Sequence, residues 1–440
     1  METDPEVVVV GGGLAGLTAA AFLACAGRSV ELHERAPSLG GRAATHERQG
    51  FLFNQGAHAL YAGGAAHRLL RELGVAVSGA PPPLSGGFAL RKGKLHTLPT
   101  GTVSLLSTGL LPLRQKAQVA RLLAALARLD PRRWDGVPVA RFLDGQGLQQ
   151  TARELVEAFF RLTTYADAPE LADAGASLRQ LQMGQRTGVL YLDGGWASIA
   201  NGLAERARSA GARLVQRSAA KAIERSGERL RVHLDEGLTV SCRAVVLALG
   251  PRAACSLLPS GAAPRLRELA DAAVAIEAAC LDVALRALPR PQALFALGID
   301  APLYLSVHSA VASLAPPGSA LVHTMKYLRP GAPQGEQAER ELEALLDRVQ
   351  PGWREQVVER RWLPRMTVSN ALVRADAGGF AGRPSSLVGD FPGVAIAGDW
   401  VGPTGMLADA SCASGRAAAE ACLMSLGGPH VKLPREEAAA

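Results

Sequence analysis

The most chemically suggestive residues stand together at the start of the chain. Val7-Val8-Val9-Val10 runs into Gly11-Gly12-Gly13-Leu14-Ala15-Gly16, and Glu34 closes the same unit. A short β-branched run reads as a buried parallel strand. Glycines at this spacing let the backbone turn sharply and approach a pyrophosphate. The small residues that follow (Thr18, Ala19, Ala20, Ala21, Ala24) suit a helix packed closely on a sheet. The start of that helix directs unpaired N–H groups and the positive end of its dipole at phosphate. A second strand, Ser29 to Glu34, ends in a carboxylate suited to accepting hydrogen bonds from ribose hydroxyls. One glycine pattern in a chain with 48 glycines says little by itself. Strand, turn, helix, strand and acid in the required order point to a dinucleotide site rather than a glycine-rich packing turn.

The rest of the chain must provide the elements that position this site. Its 440 residues suffice for two domains, and 48% hydrophobic with 20% charged residues provides a sizeable core. Aromatics make up only 5%, which argues against a base-stacking surface. The net charge of +7 comes mostly from arginine and is dispersed, with no nucleic-acid reader motif, so nucleic-acid binding is not expected. Six scattered cysteines show no CxxC or metal-ligand spacing and read as buried, reduced thiols; no metal is expected. Val7 to Gly27 is uncharged, but its glycines break it into a strand and a helix too short to cross a bilayer. Acidic residues precede it, which disfavours a secretory signal, so the expected location is cytoplasmic.

Further along, Leu39-Gly40-Gly41-Arg42 forms a turn, and Gly50 to His58 a short strand ending in a loop. Pro81 to Pro83 marks a boundary, and residues 86–98 alternate as a hairpin turning at Lys92-Gly93-Lys94. Val119, Leu122, Leu123 and Leu126 give one apolar helix face. Residues 110–133 carry six basic groups and one acid. Such a helix either lies on a membrane surface or is a solvated face whose arginine stems cover the leucines. Residues 196–208 read as a helix, Ala212 to Ile223 and Leu230 to Leu234 as strands, and Ala244 to Gly250 as a buried strand. Gln337 to Val349 reads as a charged helix, and Gly393 to Asp399 opens the last ordered unit.

Four of these segments, in order, resemble the FAD-dependent amine oxidase, phytoene desaturase and protoporphyrinogen oxidase superfamily. They are the glycine fingerprint with its Leu39-Gly40-Gly41-Arg42 extension, Asp193-Gly194-Gly195-Trp196, Ala248-Leu249-Gly250, and Ala397-Gly398-Asp399-Trp400 with Gly405 to Gly415. In appearance the chain is most similar to phytoene-desaturase-like proteins, through the segments Pro302 to Ser309 and Arg360 to Met366. The resemblance implies an α/β fold, with a discontinuous Rossmann-like FAD-binding domain of the glutathione-reductase type and an interleaved α+β substrate domain. It places the FAD-binding domain at 1–78, 196–262 and 385–427, and the substrate-binding domain at 79–195 and 263–384, with 428–440 a flexible tail.

The same resemblance implies FAD contacts from Gly11, Gly13, Leu14, Ala15, Gly16, Glu34 and Arg35 at the fingerprint, and from Gly40, Gly41 and Arg42 beyond it. Gly56, Ala57 and His58 would abut the cofactor, with the His58 side chain a packing group. Ala220, Ala248 and Gly250 would lie near the adenosine. Gly398 and Asp399 would reach ribityl or phosphate-side hydroxyls, and Gly405, Met406 and Leu407 the flavin. For Arg42 the choice is between pyrophosphate or ring edge and a surface ion pair; for Asp399, between that contact and a helix cap. Tyr304, Ser306 and His308 share one face of an extended run. Tyr304 and His308 are therefore the catalytic candidates, with His308 as proton acceptor, unless they are structural residues at a sheet edge. Where relatives of the amine-oxidase type carry a lysine, Ala272 to Arg286 offers Glu277, and no cysteine suits a covalent flavin link.

The expected activity is dehydrogenation of a hydrophobic small molecule by hydride transfer to flavin, with reoxidation by oxygen, a quinone or another acceptor. Oxidation of a C–N bond is the enzymatic alternative, and sparse Tyr and Trp make its aromatic cage hard to build. A non-catalytic binder of prenyl groups, like the GDP-dissociation inhibitors of this fold, is the alternative from another class. Peripheral membrane contact through residues 110–133 stays open beside the cytoplasmic expectation.

Overall fold

The computed structural model describes residues 4–83, 87–333 and 336–427. The expected tail at 428–440 and the first residue of the 86–98 hairpin lie outside them. A five-stranded sheet, all parallel, orders its strands Arg213–Gln216, Val30–Glu34, Val7–Val10, Ala244–Leu247 and Val394–Ile396. All four valines of the first strand are buried, because both faces of the sheet are covered. Val7 and Val9 pack under the helices Leu14–Cys25, Ala197–Ser209 and Leu407–Ser425. Val8 and Val10 meet an antiparallel sheet of Ala220–Ser226, Arg229–Leu234 and Thr239–Cys242. The first and last helices touch at backbone distance, since a Cβ on Gly415 would stand 2.3 Å from the Ala15 carbonyl oxygen.

A second, seven-stranded sheet runs Val357–Ser369, Ile276–Leu285, Ala320–Leu328, Leu303–Val307, Phe295–Gly298, Gly87–Arg91 and Lys94–Thr97. Its pairs are antiparallel except Phe295–Gly298 with Gly87–Arg91. Helix Glu336–Val349 packs on the face that carries Leu281, Val283, Leu305 and Val322. The alternate residues Ala278, Cys280, Tyr304 and Met325 face Ala57 from the loop after strand Phe51–Asn54. Helices Leu113–Leu126, Val139–Asp144, Gln150–Thr164 and Ala174–Thr187 make a helical layer beside this sheet.

Local signals in the sequence translate directly in several places. Lys92 (φ 46°) and Gly93 (φ 73°) form the hairpin turn with both central residues left-handed, as a two-residue connection between twisted strands requires. Helix Leu113–Leu126 buries Val119, Leu122 and Leu126. Two expectations need correction. Residues 212–223 are not one strand: Arg213–Gln216 ends at Arg217 (φ 53°), and Ala220–Ser226 belongs to the other sheet. The extended run carrying Tyr304 and Ser306 stops at Val307, and His308 opens a 3-10 turn. That strand has neighbours on both sides, so these are not sheet-edge residues.

Candidate active site

The fingerprint turn sits at the carboxyl end of the central strand, where the backbone leaves the sheet for helix Leu14–Cys25. Gly16 is the tight point, for its Cβ would fall 1.9 Å from the Gly11 carbonyl oxygen. Gly13 is the open point, where an added Cβ meets no protein atom within 4 Å. Gly13 also supplies no side-chain cap, so the amides of Leu14, Ala15 and Gly16 at the helix start face outward as donors. An uncapped helix start beside an open glycine fits a pyrophosphate. Glu34 is fixed beside it, accepting from Gly12 N at 2.6 Å and Ala36 N at 2.8 Å. Gly40 N donates to Gly12 O at 2.8 Å, and Gly41 approaches Gly13, so the extension lies directly on the fingerprint turn.

The other adenosine-side candidates are near but not all in contact. Ala248 N donates to Val10 O, and its carbonyl oxygen abuts Gly11. Gly250 abuts Asn370. Ala220 begins the other sheet, paired with Leu234, while Arg217 N and Ser218 N just before it bond to Ala36 O and Glu34 O. Arg35 is exposed, without a polar partner among the described residues.

Arg42 and Asp399, each expected to reach the cofactor, are bonded to each other. Arg42 Nη1 donates to Asp399 Oδ2 at 2.7 Å and to Val368 O at 2.6 Å. Asn370 adds its backbone N to Oδ2 (3.0 Å) and its Nδ2 to Oδ1 (2.8 Å). Burial alone would raise the pKa of Asp399. Arg42 and the hydrogen bonds outweigh burial and hold the carboxyl below its ordinary range. Asp399 caps no helix, because the next one begins only at Leu407. The helix-cap alternative is thereby corrected, and Arg42 is joined to a buried carboxylate rather than a surface one.

Gly398 is fastened to the last helix by Ser414 Oγ, which accepts from its N at 2.9 Å. That helix starts after Met406 without a side-chain cap, with Leu407 held at φ 55°. Gly405 O accepts from Arg383 Nη1 at 2.8 Å. Burial pulls the Arg383 pKa down to about 10, an effect that the charge of Asp399 opposes. In the first turn, Asp409 Oδ1 accepts from Ala66 N at 2.8 Å and so caps helix Ala65–Glu72. Its Oδ2 is buried without a partner.

Gly56, Ala57 and His58 bring this half against the seven-stranded sheet. A Cβ on Gly56 would stand 2.7 Å from Met366 Sδ and 3.0 Å from Cys280 Sγ. The His58 ring packs on Trp196 with centroids 5.1 Å apart, and burial pulls its pKa down to about 4. Opposite lies an aromatic wall. His308 Nε2 is 3.3 Å from the Tyr304 hydroxyl, and its ring stacks on Tyr191 with centroids 3.8 Å apart. Tyr191 OH meets Ser306 Oγ at 2.9 Å and Tyr304 OH at 3.5 Å. Tyr165 and Tyr327 stand edge to face at 6.2 Å, and Tyr61 is near enough to influence Tyr165.

All five tyrosines of the chain therefore gather here. Sparse aromatics do not preclude an aromatic site, because the fold concentrates them. Burial holds the pKa of Tyr304 well above, and that of His308 well below, their ordinary values. Glu277, standing where relatives carry lysine, is committed to an ion pair with Arg365. Tyr191, Tyr165, Tyr327, Asn370, Arg383, Asp282 and His323 were not singled out from sequence. Only the paired register of distant strands brings the last two together, and no local spacing announces it.

Comparison with known proteins then gives the following. A family model described as flavin containing amine oxidoreductase matches residues 14–423. A carotenoid phi-ring synthase of Streptomyces griseus is 32% identical over 193 residues, covering 40% of this chain and 37% of that protein. A coproporphyrinogen III oxidase of Propionibacterium freudenreichii subsp. freudenreichii is 26% identical over 313 residues, 58% of each. The chain thus spans less than two thirds of the length of these curated relatives. The solved structure of an oxidoreductase from Methanosarcina mazei superposes with a TM-score of 0.75 at 20% identity, covering 93% of this chain and 98% of that one.

Proposed function

The chain belongs to the family of flavin containing amine oxidoreductases, FAD-dependent enzymes, and from that premise we propose that it dehydrogenates a hydrophobic small molecule, forming a C=C bond. Membership of an oxidoreductase family sets aside the non-catalytic binder. The observation that carries the reading is the charge balance of the wall facing Ala57. On that wall Asp282 is neutralised by Arg361 and hydrogen-bonded to His323, while Glu277 lies on the other face of the strand, paired with Arg365, so among the described residues of the wall no uncompensated carboxylate awaits an ammonium group. Tyr304, Met325, Tyr327, Cys280 and Met366 leave that surface apolar, which suits a neutral substrate. Two curated relatives are named for a carotenoid and for coproporphyrinogen III. The gathering of five tyrosines favours a second reading, oxidation of a C–N bond within an aromatic cage.

In this proposal the Leu14, Ala15 and Gly16 amides hold the pyrophosphate, and Glu34 the ribose. Arg42, fixed by Asp399, orients the cofactor, and the Leu407 helix start faces the flavin. FAD when bound supplies the two-electron acceptor for hydride. Tyr304 and His308 take the accompanying proton, and the aromatic wall excludes water. Reoxidation falls to oxygen, a quinone or another acceptor. The cofactor domain comprises 1–78, 196–262 and 385–427, and the substrate domain 79–195 and 263–384.

No described helix is long and apolar enough to cross a membrane. Peripheral contact through residues 110–133 draws support from Arg114, Arg121 and Arg128. Arg114 and Arg121 lie a heptad apart on helix Leu113–Leu126 and Arg128 just past its end, all exposed and without a carboxylate partner among the described residues. Val103, Leu106 and Leu113 beside them are 81%, 66% and 80% exposed. From Glu72 to Asp130 no acidic residue intervenes.

The test is to purify the protein, record its visible spectrum and the FAD released on denaturation, then add candidate substrates anaerobically. A polyene such as phytoene should bleach the flavin band and benzylamine should not; the reverse result establishes the second reading instead.

A further inference from the structure

Two hydrogen-bond donors in the aromatic region are left over by the fold. The Tyr327 hydroxyl and Gln180 Nε2 are buried, in residues only 1% and 2% exposed, and neither bonds to any described residue. Buried donors are nearly always paired, because an unpaired one forfeits its bonds to water. Phe and Leu would fill the two positions with nearly the same shape and no polar atom to leave unsatisfied. The two donors therefore call for a ligand.

They approach one place from opposite sides. Tyr327 stands on the sheet face that carries Tyr304 and Met325 and looks toward Ala57. Gln180 comes from helix Ala174–Thr187, where Ala176, Gln180 and Gly184 recur every fourth residue as one stripe. Ala176 packs with Met406, just before the last helix, and a Cβ on Gly184 would stand 3.4 Å from Tyr61 Cε1. The Gln180 amide lies beside the Tyr61 hydroxyl, which is committed to Thr163 O at 2.9 Å. Tyr61 is near enough to influence Tyr327 as well.

Tyr165 gives an independent sign that this spot is built. It ends helix Gln150–Thr164 in the left-handed region (φ 60°, ψ 8°), where glycine is the usual occupant. A β-carbon is unfavourable there, so the fold accepts backbone strain to set this ring edge to face against Tyr327.

Charge narrows what the donors can hold. Burial keeps the Tyr327 hydroxyl protonated far above its ordinary range, against the pull of Arg161. Arg161, with its guanidinium 5.8 Å from the Tyr327 ring centroid, is already bonded to Asp167 and Gly298 O. Two neutral donors remain. A neutral oxygen can accept from both, whereas an ammonium group has no lone pair for Gln180 Nε2.

We propose that Gln180 Nε2 and Tyr327 OH form a polar subsite for one uncharged oxygen of the substrate. The molecule dehydrogenated is then a hydrophobic alcohol or ketone rather than a plain hydrocarbon. This rests on the dehydrogenation proposed above and specifies its substrate class. Anchored at that oxygen, the rest of the molecule lies along the apolar wall, and its length from the anchor decides which carbons stand opposite Ala57.

The test titrates FAD-loaded protein with cyclohexanone and with methylenecyclohexane, which share a shape and differ in C=O against C=CH2. Ligand-observed NMR reads both affinities without turnover. Wild type should favour the ketone about tenfold or more, because only its oxygen satisfies the buried donors. Tyr327→Phe and Gln180→Leu should each weaken that preference, and the double variant should abolish it. Neither substitution should lower the melting temperature, since each removes an unpaired group. Equal affinity for the two probes, a preference that survives in the double variant, or lowered melting in both single variants overturns the proposal. Anaerobic bleaching of the flavin by phytoene and by its terminal hydrate, a tertiary alcohol, then separates the two readings. The alcohol should reach its half-maximal rate at the lower concentration. Equal concentration dependence overturns the subsite and leaves the dehydrogenation standing. Failure of both to bleach, with the ketone preference intact, counts against the dehydrogenation alone.

Discussion

Replacing Asp409 by Asn should stabilise the protein at neutral pH, although it removes a charge from a helix-capping position. Asp409 Oδ1 serves helix Ala65–Glu72, whose own N-cap residue, Gly64, has no side chain to offer. A Cβ on Gly64 would stand 2.2 Å from that oxygen, so the glycine is what admits the carboxylate. The partnerless Oδ2 makes ionisation costly. Burial raises the pKa from an ordinary 3.8 to about 6, against the opposing pull of the Ala66 amide and Arg68. The folded state thus holds this proton more tightly than the unfolded state. Wild-type stability falls as pH rises from about 4 to about 6, and remains reduced above.

A two-unit shift corresponds to about 3 kcal/mol at pH 7.5, shrinking to about 1 kcal/mol at pH 4.5. Asn retains an oxygen for Ala66 and has no proton to lose. Urea midpoints of Asp409→Asn and wild type, followed by tryptophan fluorescence at pH 4.5, 6.0 and 7.5, measure the difference directly. A variant no more stable than wild type at pH 7.5, or an advantage that does not shrink toward pH 4.5, refutes the reasoning.

Gly13→Ala should fold normally yet lose FAD on gel filtration, because its Cβ meets only the space the phosphates need. Gly16→Ala, whose Cβ would collide with Gly11 O, should lower the yield of folded protein itself. Arg42→Ala should cost about 2 kcal/mol by thermal unfolding at pH 7, with less effect near pH 3, since Asp399 loses a charged donor and its ionised form is favoured only above its depressed pKa. Leu113→Asp combined with Arg121→Glu should abolish co-sedimentation with phosphatidylglycerol vesicles while leaving FAD content unchanged. Equal sedimentation of the variant would remove that helix from any membrane contact.

The parallel-sheet half was the more legible in sequence, for a physical reason. A pyrophosphate needs glycines at fixed offsets, an uncapped helix start and an acid one strand later, all within about 30 contiguous residues. Residues 7–34 show every one of them. The aromatic and polar wall on the seven-stranded sheet offered no such signal. Asp282 and His323 are 41 positions apart and meet only because two long strands pair in one register. Tyr191 reaches Tyr304 and His308 from a short strand over 110 residues earlier. Arg217 shows the same limit on the fold: nothing in its neighbourhood signals a left-handed residue passing the chain from one sheet to another. Tyr304 and Ser306 share a face through local alternation, yet what surrounds them and His308 is set by pairing over long distances.

The parallel sheet sets a timetable for synthesis. Its central strand, Val7–Val10, leaves the ribosome long before its edge strand, Val394–Ile396, and the helix Leu407–Ser425 that packs on the first helix. At 5–20 residues per second, roughly 20–80 s separate the two. For that interval the fingerprint helix has no Gly415 against Ala15, and its alanine-rich face is bare. Nascent chains of this protein therefore present an exposed apolar helix and an unfinished sheet edge to the translating cell. The first helix gains its packing partner, and the sheet its last strand, only once residues 394–425 have been made.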